Sequence, residues 1–192
     1  MQTIVLQPGE TRQIEGPPLA KMAQVLGAAE PDLAALSEAL ARYETEPADA
    51  DAYAEPPERL EVGGGAITIK ADAAGTGGLF GYLDYEAPPD WPGPPPHRHR
   101  ETVELFYVLE GGLTIEVDGE NVPAPAGTFV MVAPGTAHKF STTSGRSARF
   151  LVVVTPGGLE EYFRELARAI GDGPVDPAVA GALIAKYDFE PA

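Results

Sequence analysis

The chain has 192 residues, of which 44% are hydrophobic and 22% charged, a composition typical of a folded globular protein with a full core. Thirteen basic residues against 29 acidic ones give a formal charge of −16, which argues against nucleic acid and anionic membrane surfaces as partners. The sequence has no cysteine, which excludes disulfides, thiolate metal ligands and a cysteine nucleophile.

The N-terminal part, residues 1–59, is predicted to pack on the main body of the protein. Residues 2–15 resemble one or two short strands, broken at Pro8-Gly9. Neither a basic leader followed by an apolar run nor a segment long enough to span a bilayer is found, so we expect a cytoplasmic protein.

Helical spacing of apolar residues follows these strands. A short helix is expected over residues 19–27, and a second is expected to begin at Pro31, a residue favoured at the first helical position. This helical insertion, residues 19–46, is interpreted as either a brace or a lid over a pocket. Residues 44–59 carry six acids and three prolines, which predicts an acidic linker.

From Leu60 the sequence changes to short strands joined by Gly and Pro turns. Residues 66–70 and 113–117 alternate apolar and polar side chains, and Asp118-Gly119 is a favourable hairpin turn. The spacing of these segments predicts a β-sandwich or barrel over residues 60–156. Further strands are expected over residues 79–85, 103–109, 128–132, 138–142 and 149–155.

Helical periodicity returns in a C-terminal extension, residues 157–192. A second short helix is predicted there from about Pro177 to Tyr187. The apolar face of the first helix is expected to consist of Leu159, Tyr162, Phe163, Leu166 and Ile170.

All three histidines of the chain lie in two short segments. His97 and His99 are alternate residues and can aim their imidazoles at one point from a strand, while His138 follows a Pro-Gly turn. A nearby carboxylate would complete a nitrogen and oxygen site for a divalent transition metal. Glu101 would face this point if the strand continued unbroken, whereas Glu104 reaches it only if a bend or bulge intervenes.

These residues resemble the motifs of the cupin superfamily. The first motif is Gly93, His97-x-His99, Glu104 and Gly111, and the second is Gly127, Pro134-Gly135 and His138. The resemblance implies a mainly β fold, a cupin-type double-stranded β-helix or jelly-roll barrel, with an N-terminal helical insertion and C-terminal helices. It favours Glu104 over Glu101 and implies the metal ligands His97, His99, Glu104 and His138.

Such a ligand set suits one divalent ion of Fe, Mn, Ni, Co, Cu or Zn. Residues that share the inward face of Glu104 and His138 are expected to line an apolar substrate pocket. Arg98 and Arg100 flank the histidines and are predicted to be surface charges. The candidate pocket residues are Phe106, Val108, Phe129, Met131 and Phe140.

The Pro-rich approach to His97 and the segment after Thr155 resemble quercetin-dioxygenase-like cupins. The resemblance implies a metal-dependent oxygenase for a small enolisable or aromatic compound, with Glu104 also acting as the catalytic base. A metal-dependent isomerase, cyclase or lyase and a non-catalytic small-molecule-binding protein are the alternatives. A homodimer is also expected, since residues 2–15 could cover an exposed strand edge of a neighbour.

Overall fold

The computed structural model describes residues 4–7, 10, 57–170 and 177–192, and within them the chain forms eleven strands and three helices. The predicted helices at 19–27 and from Pro31, and with them the choice between brace and lid, lie outside the described residues. The strands are β1 (Ile4–Leu6), β2 (Glu58–Val62), β3 (Gly65–Ala71), β4 (Gly81–Ala87), β5 (His97–Arg98), β6 (Val103–Val117), β7 (Glu120–Pro125), β8 (Phe129–Val132), β9 (His138–Thr142), β10 (Ala148–Thr155) and β11 (Glu190–Pro191). The helices are α1 (Ala73–Thr76), α2 (Leu159–Ile170) and α3 (Pro177–Lys186).

The strands pair antiparallel in two sheets that share the long strand β6. One sheet has the order β2-β3-β4-β10-β6-β8-β1, and the other has β11-β5-β9-β6 with β7 on the opposite side of β6. Long crossovers between strands distant in sequence, rather than hairpins alone, build this arrangement. The predicted mainly β jelly-roll barrel is confirmed.

Strand β6 passes from one sheet to the other at Gly111. Residues 103–111 pair with β10, and residues 112–117 pair with β7. Gly111 has a φ of 72°, and a Cβ at this position would lie 1.9 Å from the Ser147 carbonyl oxygen, so only glycine fits. The two strands predicted on either side of this glycine are therefore one strand of 15 residues.

The core lies between the sheets and is rich in aromatic side chains. Tyr85 stacks on Phe150 with ring centroids 4.8 Å apart, and Phe140 meets Phe150 edge to face. Phe106 and Phe150 are completely buried. Because burial of such a side chain stabilises by roughly 1.5–3 kcal/mol, these rings are a large part of the driving force for closing the barrel.

Among the described N-terminal residues, one difference from the prediction concerns the start of β2. Glu58 and Arg59, predicted to lie in the acidic linker, are the first residues of β2. Their charge is compatible with a strand because both are exposed, and the Arg59 guanidinium bonds Glu86 at 2.7 Å. Strand β1 lies along β8 of its own chain.

Both predicted C-terminal helices are present, and Tyr162 and Phe163 of α2 pack against the core. Glu160 is completely buried and accepts hydrogen bonds from the backbone N–H groups of Ala73 (2.6 Å) and Gly158 (2.9 Å), which fixes the start of α2. None of the helices in the described ranges is long and apolar enough to cross a membrane. The division into residues 1–59, 60–156 and 157–192 stays a prediction.

Candidate metal centre

The four residues predicted from the motifs come together inside the barrel. His97 lies in β5 opposite His138 in β9, His99 directly follows β5, and Glu104 is the second residue of β6. All four side chains are buried, and one donor atom from each lies within 4.8 Å of the others.

Backbone carbonyl groups fix the orientation of all three imidazoles. A carbonyl oxygen can only accept a hydrogen bond, so the Nδ1 atom of each ring carries the proton and donates it. In the neutral ring, Nε2 then keeps a free lone pair directed into the site. The three bonds are His97 Nδ1 to Pro95 O (3.0 Å), His99 Nδ1 to Asp188 O (2.7 Å) and His138 Nδ1 to Thr136 O (3.1 Å).

The lone pairs face a carboxylate, which is an arrangement that needs a cation. Glu104 Oε2 lies 2.8 Å from His138 Nε2 and 3.5 Å from His99 Nε2. The latter nitrogen is buried without a hydrogen-bond partner. Acceptors that face one another in a buried space are balanced only by a positive ion or a proton between them, so these residues fit a divalent metal.

The ionisation of the site agrees with this fit. Burial lowers the pKa of His97 to about 4, so its imidazole is neutral at neutral pH. Burial alone would raise the pKa of Glu104, but the adjacent His138 and His99 side chains outweigh it and hold the pKa well below its usual range. Burial lowers the pKa of His99, and the bond and charge of Glu104 reverse this to a net increase. The centre therefore holds a buried negative charge beside imidazole ligands.

A bend between β5 and β6 brings Glu104 to the histidines. The predicted bend is confirmed: the strand is interrupted between His99 and Val103, and Glu101 is exposed while Glu104 points inward. The carboxylate of Asp188 holds the bend by accepting three backbone hydrogen bonds, and these bonds lower the pKa of Asp188 although its burial would raise it. The three donors are the N–H groups of Arg100 (3.1 Å), Glu101 (3.0 Å) and Thr102 (2.8 Å).

An apolar cavity of about 290 Å³ adjoins the centre, and Glu104 and His97 are part of its lining. The barrel and the C-terminal helices both contribute to its wall. Small-molecule sites commonly combine such apolar walls with a few polar groups. The main apolar side chains are Ile67, Tyr85, Trp91, Phe140, Phe163 and Leu166. A larger depression of about 620 Å³, between Arg59 and Arg149, is open to solvent, and none of the four residues lines it.

The predicted pocket residues divide into two groups. Phe140 lines the cavity, and Phe106, whose ring centroid is 5.0 Å from that of Phe140, supports it from the core together with the buried Val108. The predictions for Phe129 and Met131 are wrong. Their neighbours Val130 and Val132 belong to the core, so strand alternation places Phe129 and Met131 on the other face of β8. Phe129 lines a depression on that face, whereas Met131 is buried but does not line the cavity.

The flanking arginines also differ from each other. Arg100 is exposed, as predicted. Arg98 is half-buried, and its Nε atom is buried without a hydrogen-bond partner, so the prediction of a surface charge is wrong for this residue. In the sheet, Arg98 is paired with Glu190 of β11.

Sequence reasoning missed the segment that follows α3. Asp188 bonds His99 and the bend, and the Phe189 ring lies against the rings of His97 and His99 at centroid distances of 5.4 and 4.7 Å. The only local signal is an aromatic-acid-aromatic run, Tyr187-Asp188-Phe189, at the end of a helix. That run does not indicate which distant segment it contacts.

Comparisons with known proteins agree with the fold and the motifs. Residues 84–154 match the family model of the cupin domain. Over 87 residues the chain is 32% identical to quercetin 2,3-dioxygenase of Bacillus subtilis (strain 168). This alignment covers 45% of this chain and 25% of that protein. Over 60 residues it is 32% identical to polyketide synthase CurC of Streptomyces cyaneus, with coverages of 31% and 39%. The chain thus spans less than half the length of these two relatives.

Among solved structures, an RmlC-like cupin from Shewanella frigidimarina NCIMB 400 superposes with a TM-score of 0.47 at 19% identity. The superposition covers 57% of this chain and 92% of that chain.

Proposed function

We propose that this chain, whose residues 84–154 match the family model of the cupin domain, is a cupin that acts as a metal-dependent oxygenase. Its substrate would be a small enolisable or aromatic compound. The observation that carries this proposal is the convergence of three imidazole nitrogens and one buried carboxylate beside an apolar cavity. The proposed metal ligands are His97, His99, Glu104 and His138.

The donor set suits one divalent ion of Fe, Mn, Ni, Co, Cu or Zn. When bound, the ion would supply Lewis acidity and open coordination positions for substrate or oxygen. The chain's own contribution is to hold the imidazoles with their Nε2 lone pairs inward, by the three carbonyl bonds at Nδ1.

Glu104 is the proposed catalytic base. It lines the cavity, and its carboxylate stays ionised because the adjacent histidines hold its pKa low against the effect of burial. It can therefore accept the proton of a substrate hydroxyl group in the cavity. The Tyr85 phenol, which also lines the cavity, stays uncharged, since burial, followed by the charge of Glu104, raises its pKa well above its usual value.

The apolar wall supports a planar, hydrophobic substrate rather than a highly hydroxylated one, because aromatic side chains offer few hydrogen bonds. The relative named quercetin 2,3-dioxygenase supports the oxygenase assignment. If both atoms of O₂ enter the product, the reaction needs no external reductant. A metal-dependent isomerase, cyclase or lyase would use the same ligands and the same base without oxygen.

The first test is elemental analysis of protein purified without added metal. We expect about one transition metal ion per chain in the wild type and in Glu101→Gln, and little in Glu104→Gln. Glu101 is the matched control because it is exposed and only three residues away. A wild-type protein that is folded but takes up none of the six ions would refute the proposal.

The second test is oxygen consumption by Fe(II)-, Mn(II)- and Ni(II)-loaded protein with a panel of flavonols and other enolisable compounds. Oxygen uptake that depends on Glu104 supports an oxygenase. Conversion of a compound at an equal rate without oxygen would indicate an isomerase, cyclase or lyase. Tight binding without conversion in every metal form would indicate a binding protein.

A homodimer and a cytoplasmic location are also part of the proposal. The outer face of the sheet carries Leu105, Tyr107 and Phe129 around an apolar depression, and the side chain of Tyr107 is exposed. Light scattering should give twice the chain mass of 20.1 kDa. A single species at the chain mass would refute the dimer.

A further inference from the structure

The segment Tyr187–Pro191, here called the C-terminal strap, contacts the metal centre at several points. We propose that Asp188 of this strap is a positioning residue: it holds both the bend that brings in Glu104 and the imidazole of His99. This inference rests on the proposed metal site. Asp188 is not one of the four proposed ligands; it acts by holding two of them in position.

The first contact is between the Asp188 carboxylate and the bend. One oxygen accepts from the Arg100 N–H, and the other accepts from both Glu101 and Thr102. Three successive N–H groups can converge on one carboxylate only if the backbone leaves the extended conformation. Since a straight strand would turn Glu104 away from His99, these bonds maintain the backbone path on which the ligand set depends.

The second contact is between the Asp188 backbone and His99. The carbonyl oxygen of Asp188 accepts the Nδ1 proton of His99 at 2.7 Å. This bond fixes both the tautomer and the ring orientation, and it leaves Nε2 directed at the centre. A single residue therefore controls two of the four donors.

The strap itself is held against the barrel, so Asp188 has a fixed position. Phe189 packs on the rings of His97 and His99, and β11 pairs with β5. The Arg100 guanidinium lies 3.4 Å from the Asp188 carboxylate. Displacement of Asp188 would consequently disturb the packing around both histidines.

The test compares Asp188→Asn and Asp188→Ala with wild type, using Co(II) as the probe. The dissociation constant for Co(II) is measured by competition with a chromophoric chelator, and the visible absorption spectrum of bound Co(II) reports coordination number and geometry. Asp90→Asn is the matched control, because the Asp90 carboxylate also accepts a backbone hydrogen bond, from Gly145 at 2.9 Å, in an exposed loop.

We expect Co(II) binding to weaken about 10- to 100-fold in both Asp188 variants, with an altered spectrum, and to be unchanged in Asp90→Asn. Loss of stability alone would not alter the spectrum of the bound ion. If Asp188→Ala does not fold, the test rests on Asp188→Asn, because asparagine keeps the side-chain size of aspartate but loses its charge and one hydrogen-bond acceptor.

A folded Asp188 variant with wild-type affinity and spectrum would overturn the inference while the metal site stands. A folded wild-type protein that takes up no Co(II) and none of the other ions would instead refute the proposed function, and the positioning role would fall with it.

Discussion

Two carboxylates of the barrel are almost equally buried, but their surroundings are opposite. Asp84 is 4% exposed and receives two hydrogen bonds from the Arg149 guanidinium, at 3.0 and 2.8 Å. Glu104 is 5% exposed and faces imidazole nitrogens whose rings already donate their Nδ1 protons to the backbone. The chain supplies a permanent cation to the first carboxylate and none to the second.

This difference separates a structural ion pair from a candidate binding site. A buried charge is stable only when it is paired or hydrogen-bonded, and Asp84 meets that condition within its own chain. Glu104 meets it only when a proton or a metal ion lies between it and the histidines. Burial by itself would not have distinguished the two residues, whereas the charge of their neighbours does.

The largest effect is expected when the negative charge of each carboxylate is removed in turn. Glu104→Gln should weaken binding of a divalent transition metal by more than about 100-fold, since a neutral amide is a poor ligand, while Asp84→Asn should leave it unchanged. Chelator competition measures both constants. Equal affinities in the two variants would show that Glu104 is not a ligand.

The second largest effect is expected on the free energy of unfolding when a bound metal ion is removed. At a free ion concentration of about 100 times the dissociation constant, bound metal adds about 2.7 kcal/mol to the free energy of unfolding. Chelation should therefore lower the melting temperature of wild type by about 5–10 °C, at roughly 2–4 °C per kcal/mol for a chain of this size. Calorimetry of Glu104→Gln with and without chelator serves as the control, and an equal decrease there would contradict the assignment.

Asp84→Asn should lower the free energy of unfolding by about 1–3 kcal/mol at neutral pH, because the charge-assisted bonds to Arg149 are weakened. The bond from Arg149 lowers the pKa of Asp84, although burial partly opposes this. Its stabilisation is therefore present above the pKa of an unfolded aspartate and is lost as the pH falls through the lower folded value. Urea titrations should show that the difference in the free energy of unfolding between wild type and Asp84→Asn becomes smaller in acid. A difference that does not depend on pH would exclude this ion pair as the cause.

The smallest effect is expected for Lys70→Met. The Lys70 ammonium is 3.7 Å from the Asp84 carboxylate, and its side chain is 37% exposed. Solvent and salt screen such a pair, so the loss should be below about 1 kcal/mol and should vanish at high salt. A larger loss in the free energy of unfolding would mean that Asp84 needs the charge of Lys70 in addition to that of Arg149.

The sequence predicted which four residues come together, from two kinds of signal. His97 and His99 are alternate residues, which is a local signal, whereas Glu104 and His138 were assigned from the resemblance to the cupin motifs. Local reasoning failed for Phe129 and Met131, since the run Phe-Val-Met-Val is apolar at every position and does not show which face is inward. Only the pairing of β8 with β6 decides that question.

Contacts between distant segments were beyond local reasoning. Leu83, Asp84 and Tyr85 are consecutive and all buried, so no alternation marked Asp84 as a residue that needs a partner. Asp188 reaches the bend from another part of the chain and carries no motif. The apolar face of α2 was predicted, but its role as a cavity wall depends on how the helix is placed.

The bond between His99 and Asp188 joins residues 89 positions apart, which has a consequence for biosynthesis. On the ribosome, the three histidines and Glu104 emerge from the exit tunnel well before Asp188 does. A nascent chain can thus display the four proposed ligands while one ring still lacks its anchor. If the proposed metal site exists, the complete set of oriented donors would therefore form only after translation.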